Sequence, residues 1–131
     1  MEKLQAQIEK ASAEYQKLQQ DLSAAVQSRQ KLDSQRQENE GVKKEFDNLK
    51  DGEVIYKLVG PVLLKQEKFE AESTVKGRLE FISGEIDRVE GQVKDLQKKI
   101  DSKRAEIIQI QAAAQAASQG AQSGQGKEVA A

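Results

Sequence analysis

The sequence contains no cysteine and no histidine, and it has a single proline among 131 residues. Without cysteine and histidine the chain has no disulfide, no thiolate nucleophile and none of the commonest metal ligands. Hydrophobic residues make up 37% of the chain and aromatic residues 4%, which is too little for a large compact core with an enclosed pocket. We therefore expect no enzyme, no catalytic residue, no metal and no cofactor.

An excess of one charge is also absent, because the chain has 21 Lys and Arg residues and 22 Asp and Glu residues. The sequence offers no basic stripe for nucleic acid and no polybasic segment for an anionic membrane. No apolar run approaches the ~18 residues of a membrane-spanning helix, and the first ten residues lack the apolar core of a secretory signal. We expect an intracellular protein, cytoplasmic or nuclear, that binds neither nucleic acid nor membrane.

The chain is rich instead in Ala, Glu, Lys, Leu, Gln and Arg, the composition of coiled coils. Over residues 1–50, the first arm, seam positions recur in steps of three and four, the a/d spacing of a coiled coil. These positions are Leu4, Ile8, Ala11, Tyr15, Leu18, Leu22, Ala25, Arg29, Leu32, Arg36 and Asn39. The three polar seam residues are expected to lay their stems along the seam with their polar heads at its edge.

Residues 67–117, the second arm, repeat this spacing. Its seam positions are Val75, Leu79, Ile82, Ile86, Val89, Val93, Leu96, Ile100, Lys103, Ile107, Ile110, Ala114 and Ala117. One helix cannot bury such a stripe alone, so the two arms are predicted to pair as a long antiparallel two-helix coiled coil. A register centred on the connection places Tyr15 near Lys103 and Arg29 near Val89. Glycines recur every seven residues at the position farthest from the partner helix, namely Gly77, Gly84 and Gly91.

The connection, residues 51–66, carries the apolar segment "VIYKLVGPVLLKQ". Asp51-Gly52 is a helix stop signal, the β-branched and aromatic residues favour two strands, and Gly60-Pro61 is a turn signal. Both faces of the predicted hairpin are apolar, and a lone two-stranded hairpin is marginally stable in water. We therefore predict that it assembles with other strands through Val54, Ile55, Tyr56, Leu58, Val62, Leu63 and Leu64. Residues 118–131 are rich in Gly, Ser and Gln and are expected to form a flexible tail.

Two heptad arms around "VIYKLVGPVLLKQ" resemble the β-class subunits of the prefoldin family. The stretches "SRQKLDSQRQENE" in the first arm and "RLEFISGEIDRVEGQVKDL" in the second also resemble that family. The likeness covers about residues 2–112. It implies a mainly α fold with a single β-hairpin at the connected end of the coiled coil, where α-class subunits carry two hairpins.

The resemblance implies a hetero-hexamer of two α-class and four β-class subunits whose hairpins join in a β-barrel platform. Such complexes capture unfolded or nascent proteins, notably actin and tubulin, without ATP and deliver them to the cytosolic group II chaperonin. Apolar residues at the free ends of the arms are the candidate client contacts. They are Leu4, Ile8, Ile107, Ile108 and Ile110.

Two alternatives remain at this stage. One is a stand-alone coiled-coil tether or scaffold that dimerises through its arms, and the other is a subunit of a prefoldin-like complex with an assembly or nuclear role. The hairpin discriminates the tether from the chaperone subunit, because a tether would tolerate a polar loop in its place.

Overall fold

The computed structural model describes residues 2–50 and 53–130, with side chains described as far as residue 120. In chain order the elements are α1 (Glu2–Asp47), β1 (Ile55–Val59), β2 (Val62–Gln66) and α2 (Lys68–Ala130). The two strands form an antiparallel two-stranded sheet. Two long helices thus flank one hairpin, which confirms the predicted fold class.

Both helices consist largely of residues with high helix propensity, and the only proline lies outside them, at position 61. At the end of α1 the Asn48 N–H donates to the Lys44 carbonyl oxygen at 3.1 Å. The predicted stop signal, Asp51-Gly52, lies outside the described residues. Over the part of the chain that the structure describes, neither helix has an apolar stretch long enough to cross a membrane.

The chain forms two compact units, the hairpin unit (residues 26–91) and the termini unit (residues 1–25 and 92–131). In the hairpin unit the buried side chains all lie on one stripe of α2, and each is between 3 and 6% exposed. They are Ala71, Val75, Ile82, Ile86 and Val89. Leu32, Arg36 and Asn39 of α1 are half-buried. The predicted seam positions are therefore confirmed here except at Arg29, which is exposed, and Ala71 is an additional member.

The termini unit has the same organisation. Ala11 of α1 and Ile100 of α2 are buried, and the neighbouring seam residues of α1 are half-buried. Arg104 Nη2 donates to the Tyr15 hydroxyl oxygen at 3.2 Å, which places Tyr15 within one residue of the predicted partner, Lys103. The seam prediction is wrong at Ala117, which is exposed, whereas Ser118 is half-buried.

The hairpin turn consists of Gly60 and Pro61, because Val59 pairs with Val62. Gly60 has a φ of 59°, a left-handed conformation that glycine adopts without the steric cost of a Cβ. Proline restricts the next φ to about −65°. A positive φ followed by a negative one is the pattern of a type II′ turn, whose twist matches that of the flanking strands.

The C-terminal segment differs in secondary structure from the expectation for residues 118–131. Helix α2 continues through this segment to Ala130. Ala and Gln are good helix formers, each interior glycine costs only about 1 kcal/mol, and no proline ends the helix. The flexibility of the segment remains a prediction, as does the division of the chain at residues 50, 66 and 117.

Candidate functional site

The hairpin pairs its strands in a register that sorts the side chains onto two faces. Tyr56 lies opposite Lys65, and Leu58 lies opposite Leu63. The other face carries the pairs Ile55 with Gln66, Lys57 with Leu64, and Val59 with Val62. Because paired residues of a sheet share a face and neighbours along a strand alternate, each face combines several apolar side chains with a lysine.

Both faces of the hairpin are open to solvent. Leu58 is 68% exposed and Leu63 is 62% exposed on one face, and Val62 is 53% and Leu64 is 51% exposed on the other. Of the seven predicted assembly residues, six are exposed, and Ile55 is half-buried. The outer edges of β1 and β2 pair with no other strand among the described residues. Such edges are templates for pairing with another chain.

Two exposed apolar residues near this surface were not among the seven predicted ones. Val59, at the turn, is 48% exposed, and Phe69, in the first turn of α2, is 79% exposed. Phe69 has the highest exposure among the large hydrophobic side chains that the structure describes. The available sequence signal was a phenylalanine outside the heptad seam and directly after the second strand.

The arm ends hold the five predicted client contacts, and the structure divides them by exposure. Leu4 and Ile8 of α1 and Ile107 and Ile110 of α2 are half-buried in the seam of the termini unit. Ile108 lies outside the seam and is 58% exposed. Ile108 is therefore the one of these five that presents most of its side chain to solvent.

Lys103 occupies a seam position and joins the two helices of the termini unit. Its Nζ lies 2.5 Å from Glu14 Oε2 on α1 and 2.8 Å from Glu106 Oε2 on α2. The hydrogen bond and charge of Lys103 lower the pKa of Glu14, and hydrogen bonds to Glu106 and Glu14 raise the pKa of Lys103. The side chain is only 19% exposed, so its stem lies in the seam and its ammonium bridges the helices.

The seam prediction is also wrong at Arg29. It is exposed, and its Nε and Nη2 donate to Glu90 Oε1 on α2 at 3.1 and 2.7 Å. The hydrogen bond to Glu90 raises the pKa of Arg29. A long, flexible side chain can turn out of the seam to reach a carboxylate, so Arg29 links the helices from the rim. Its partner is one residue from the predicted Val89.

The other two polar seam residues remain half-buried and bond within α1. Arg36 Nη2 donates to Asp33 Oδ1, and Asn39 Nδ2 donates to the Gln35 carbonyl oxygen at 2.7 Å. Their polar groups are thus satisfied at the seam edge, as expected.

Among the described residues no buried side-chain nitrogen or oxygen lacks a hydrogen-bond partner, and no group of acidic residues is arranged to hold a metal ion.

Known proteins share this arrangement of helices and hairpin. A sequence model described as "Prefoldin subunit" matches residues 5–114. Prefoldin subunit 6 of Mus musculus is 46% identical over 109 residues, which cover 83% of this chain and 83% of the relative. Prefoldin subunit 6 of Saccharomyces cerevisiae is 45% identical over 98 residues, which cover 75% of this chain and 86% of the relative.

Solved structures agree with the sequence relatives. The crystal structure of the prefoldin beta subunit from Thermococcus strain KS-1 matches with a TM-score of 0.73 and 29% identity, covering 77% of this chain and 89% of that chain. The beta2 subunit from the same strain matches with a TM-score of 0.61 at 21% identity, a likeness of fold alone. The resemblance stated from the sequence is confirmed, and this chain belongs to the prefoldin subunit family.

Proposed function

We propose that the chain is a β-class subunit of a hetero-hexameric prefoldin with two α-class and four β-class subunits. The hexamer works without ATP and holds unfolded or nascent proteins such as actin and tubulin, which it delivers to the cytosolic group II chaperonin. Its place of action is the cytoplasm, with the nucleus as a second compartment. This assignment is supported by membership of the prefoldin family and by the presence of one hairpin in the described part of the chain.

The observation that carries the proposal is a hairpin with exposed apolar side chains on both faces. Burying each large apolar side chain contributes about 1.5–3 kcal/mol, and the unpaired strand edges supply backbone donors and acceptors for neighbouring strands. A few such side chains are enough to offset much of the entropy lost when subunits associate. We assign subunit assembly to Val54, Ile55, Tyr56, Leu58, Val62, Leu63 and Leu64.

Client capture is assigned to the arm ends, where Ile108 is exposed and four apolar seam residues are half-buried. Weak apolar contacts from several arms add up to avidity without demanding one client sequence. Leu4, Ile8, Ile107 and Ile110 contribute when the end of the helix pair frays, and Ile108 contributes without fraying.

The test is co-assembly with α- and β-class prefoldin subunits, measured by light scattering, followed by an aggregation assay with denatured actin in the absence of nucleotide. The wild-type chain should enter a hexamer of defined stoichiometry that suppresses aggregation. A stable homodimer that ignores the partner subunits would instead support the coiled-coil tether.

Replacing Leu58 and Leu63 together by Ser tests the hairpin itself. These residues face each other across the strands, and losing both apolar side chains should weaken co-assembly by about 100-fold or more. The isolated variant should keep its helical circular dichroism, because neither residue belongs to the seam. Val26→Ser with Val42→Ser is the matched control on α1, where both side chains are 38–39% exposed. Normal assembly of the hairpin variant would refute the proposal.

A further inference from the structure

Phe69 is the apolar residue that the seam and the hairpin both leave unexplained. It lies in α2 two residues before buried Ala71 and six before buried Val75, yet it is 79% exposed. Its neighbours one helical turn on are Glu72 and Ser73, so no apolar side chain follows it along that face at i+3 or i+4. A phenylalanine in this position contributes little to the fold of the isolated chain.

Its position places Phe69 beside the hairpin. Strand β2 ends at Gln66 and α2 begins at Lys68, so Phe69 is three residues from the strand. Three residues of chain span at most about 10 Å. A cleft of about 520 Å³ lies at the base of the hairpin, lined by residues that include Val54 and Lys65 of the hairpin segment and Lys68 of α2. The surface around the hairpin therefore extends to the residue that precedes Phe69.

The distribution of exposed apolar residues points the same way. Of the 12 large hydrophobic side chains that are exposed among the described residues, eight lie between residues 54 and 69. They are Val54, Tyr56, Leu58, Val59, Val62, Leu63, Leu64 and Phe69. A concentration of exposed apolar side chains marks interaction sites, whereas scattered single residues need no explanation. Phe69 belongs to this group of close sequence neighbours, and Phe81, at 68% exposed, does not.

We propose that Phe69 is an assembly anchor, which packs against the apolar surface of a neighbouring prefoldin subunit when the hairpins associate. This inference rests on the proposed function and extends the interface from the hairpin onto the first turn of α2. The occupant is another subunit because Phe69 continues the hairpin surface in sequence and in exposure. Aromatic residues that become buried at the centre of an interface contribute disproportionately to binding.

The experiment compares Phe69→Ser with Phe81→Ser. Both residues are exposed phenylalanines of α2 within the hairpin unit, and Phe and Ser have similar helix propensities. Phe81 lies 12 residues further on, about 18 Å along the helix. Affinity for the partner subunits is measured by titration under light scattering, and thermal unfolding of each isolated variant is followed by circular dichroism.

Phe69→Ser should weaken co-assembly by about 10- to 100-fold, and Phe81→Ser should leave it unchanged. Both isolated variants should unfold at the wild-type temperature, because each side chain is already exposed. Phe69→Leu should restore most of the affinity, since the contact is apolar.

Two results would overturn the inference. One is wild-type affinity of Phe69→Ser, and the other is equal weakening by Phe69→Ser and Phe81→Ser. Wild-type affinity combined with reduced suppression of actin aggregation would make Phe69 a client contact. In each case the variant with Ser at both Leu58 and Leu63 still tests the hairpin separately, so a failed anchor is distinguishable from a failed assembly proposal.

Discussion

The seam and the hairpin use the same kinds of apolar side chain in opposite surroundings. Ile82, Ile86 and Val89 in the seam are between 3 and 6% exposed, whereas Leu58 and Leu63 in the hairpin are 68% and 62% exposed. The difference lies in whether the same chain supplies a surface against which each element can pack. A heptad stripe on one helix meets a complementary stripe on the other, but the hairpin has two apolar faces, and no second layer covers them among the residues that the structure describes.

This comparison separates the residues that stabilise the subunit from those that serve its partners. Seam residues are buried before any partner arrives, so their contribution belongs to the stability of the isolated chain. Hairpin residues can gain burial only on association, so their contribution belongs to the assembly. Substitutions in the two regions should therefore change different measured quantities.

The largest expected effect on the isolated chain comes from Ile86→Ala, which removes a seam side chain that is 5% exposed. Deleting a buried Ile side chain costs about 2–5 kcal/mol in protein cores, and we expect about 2 kcal/mol here because the helix pair can close partly around the gap. Urea unfolding followed by circular dichroism, at a concentration where the chain is monomeric, measures the change.

Leu58→Ala is the matched variant in the hairpin. Because its side chain is exposed in the isolated chain, the free energy of unfolding should change by no more than about 0.5 kcal/mol, while affinity for partner subunits falls. If Leu58→Ala destabilises the isolated chain as much as Ile86→Ala does, the distinction between seam and hairpin is wrong, because the hairpin would then be part of the subunit's own core.

The seam was predictable because its period is carried by many residues at once, so one exception leaves the pattern intact. The register followed from one short connection between arms of similar length, and Tyr15 and Arg29 contact residues next to their predicted partners. The exceptions depend on information that periodicity lacks. The position of Arg29 in the seam did not reveal that its flexible side chain would turn toward Glu90 at the rim.

The hairpin was predictable as a pair of strands from its β-branched residues and its Gly-Pro turn. The extent of the apolar surface around the hairpin was less predictable. Phe69 lies in a helix and outside the strand pattern, so its closeness in sequence to the second strand indicates an interaction surface only together with its exposure. The segment after residue 117 is helical to Ala130, in agreement with its Ala and Gln content, while the flexibility expected from its Gly and Ser content stays a prediction.

Two glycines, one in the hairpin and one in a helix, differ in backbone conformation and should respond in opposite ways to replacement by Ala. Gly60 in the hairpin turn has a φ of 59°, while Gly84 lies in α2, where a Cβ would meet nothing within 4 Å beyond the neighbouring backbone of its own helix. Gly60→Ala should destabilise the turn by about 1–2 kcal/mol, and Gly84→Ala should stabilise the helix by about 1 kcal/mol.

Amide hydrogen exchange of β1 and β2 measures the Gly60 variant, and the urea midpoint measures the Gly84 variant. Both should keep the wild-type helix content. Unchanged exchange in Gly60→Ala would mean that the turn accommodates a Cβ without strain, and a lower urea midpoint in Gly84→Ala would place that position against a neighbour.

The smallest expected effect concerns the ion pair that joins the helices of the termini unit. Lys103 lowers the pKa of Glu14 through a hydrogen bond and its charge, with a further contribution from Lys10. A carboxylate with a lowered pKa stabilises the folded chain above its ordinary pKa of 4.5, and this stabilisation is lost as the pH falls through the lowered value. Glu14→Gln should therefore lower the unfolding temperature at pH 6, and this effect should become smaller as the pH falls below 4.5.

Glu85→Gln provides the control, because Glu85 also has a pKa lowered by a hydrogen bond, but its partner Arg88 lies on the same helix. Lys103 remains bonded to Glu106 in the Glu14 variant, so its own charge stays partnered. A larger pH-dependent change for Glu14→Gln than for Glu85→Gln would show that a bridge between helices adds to the stability of the seam. Equal changes in unfolding temperature would mean that an ion pair between the helices stabilises the chain no more than one within a helix. The difference between seam and hairpin would then come from the apolar side chains alone.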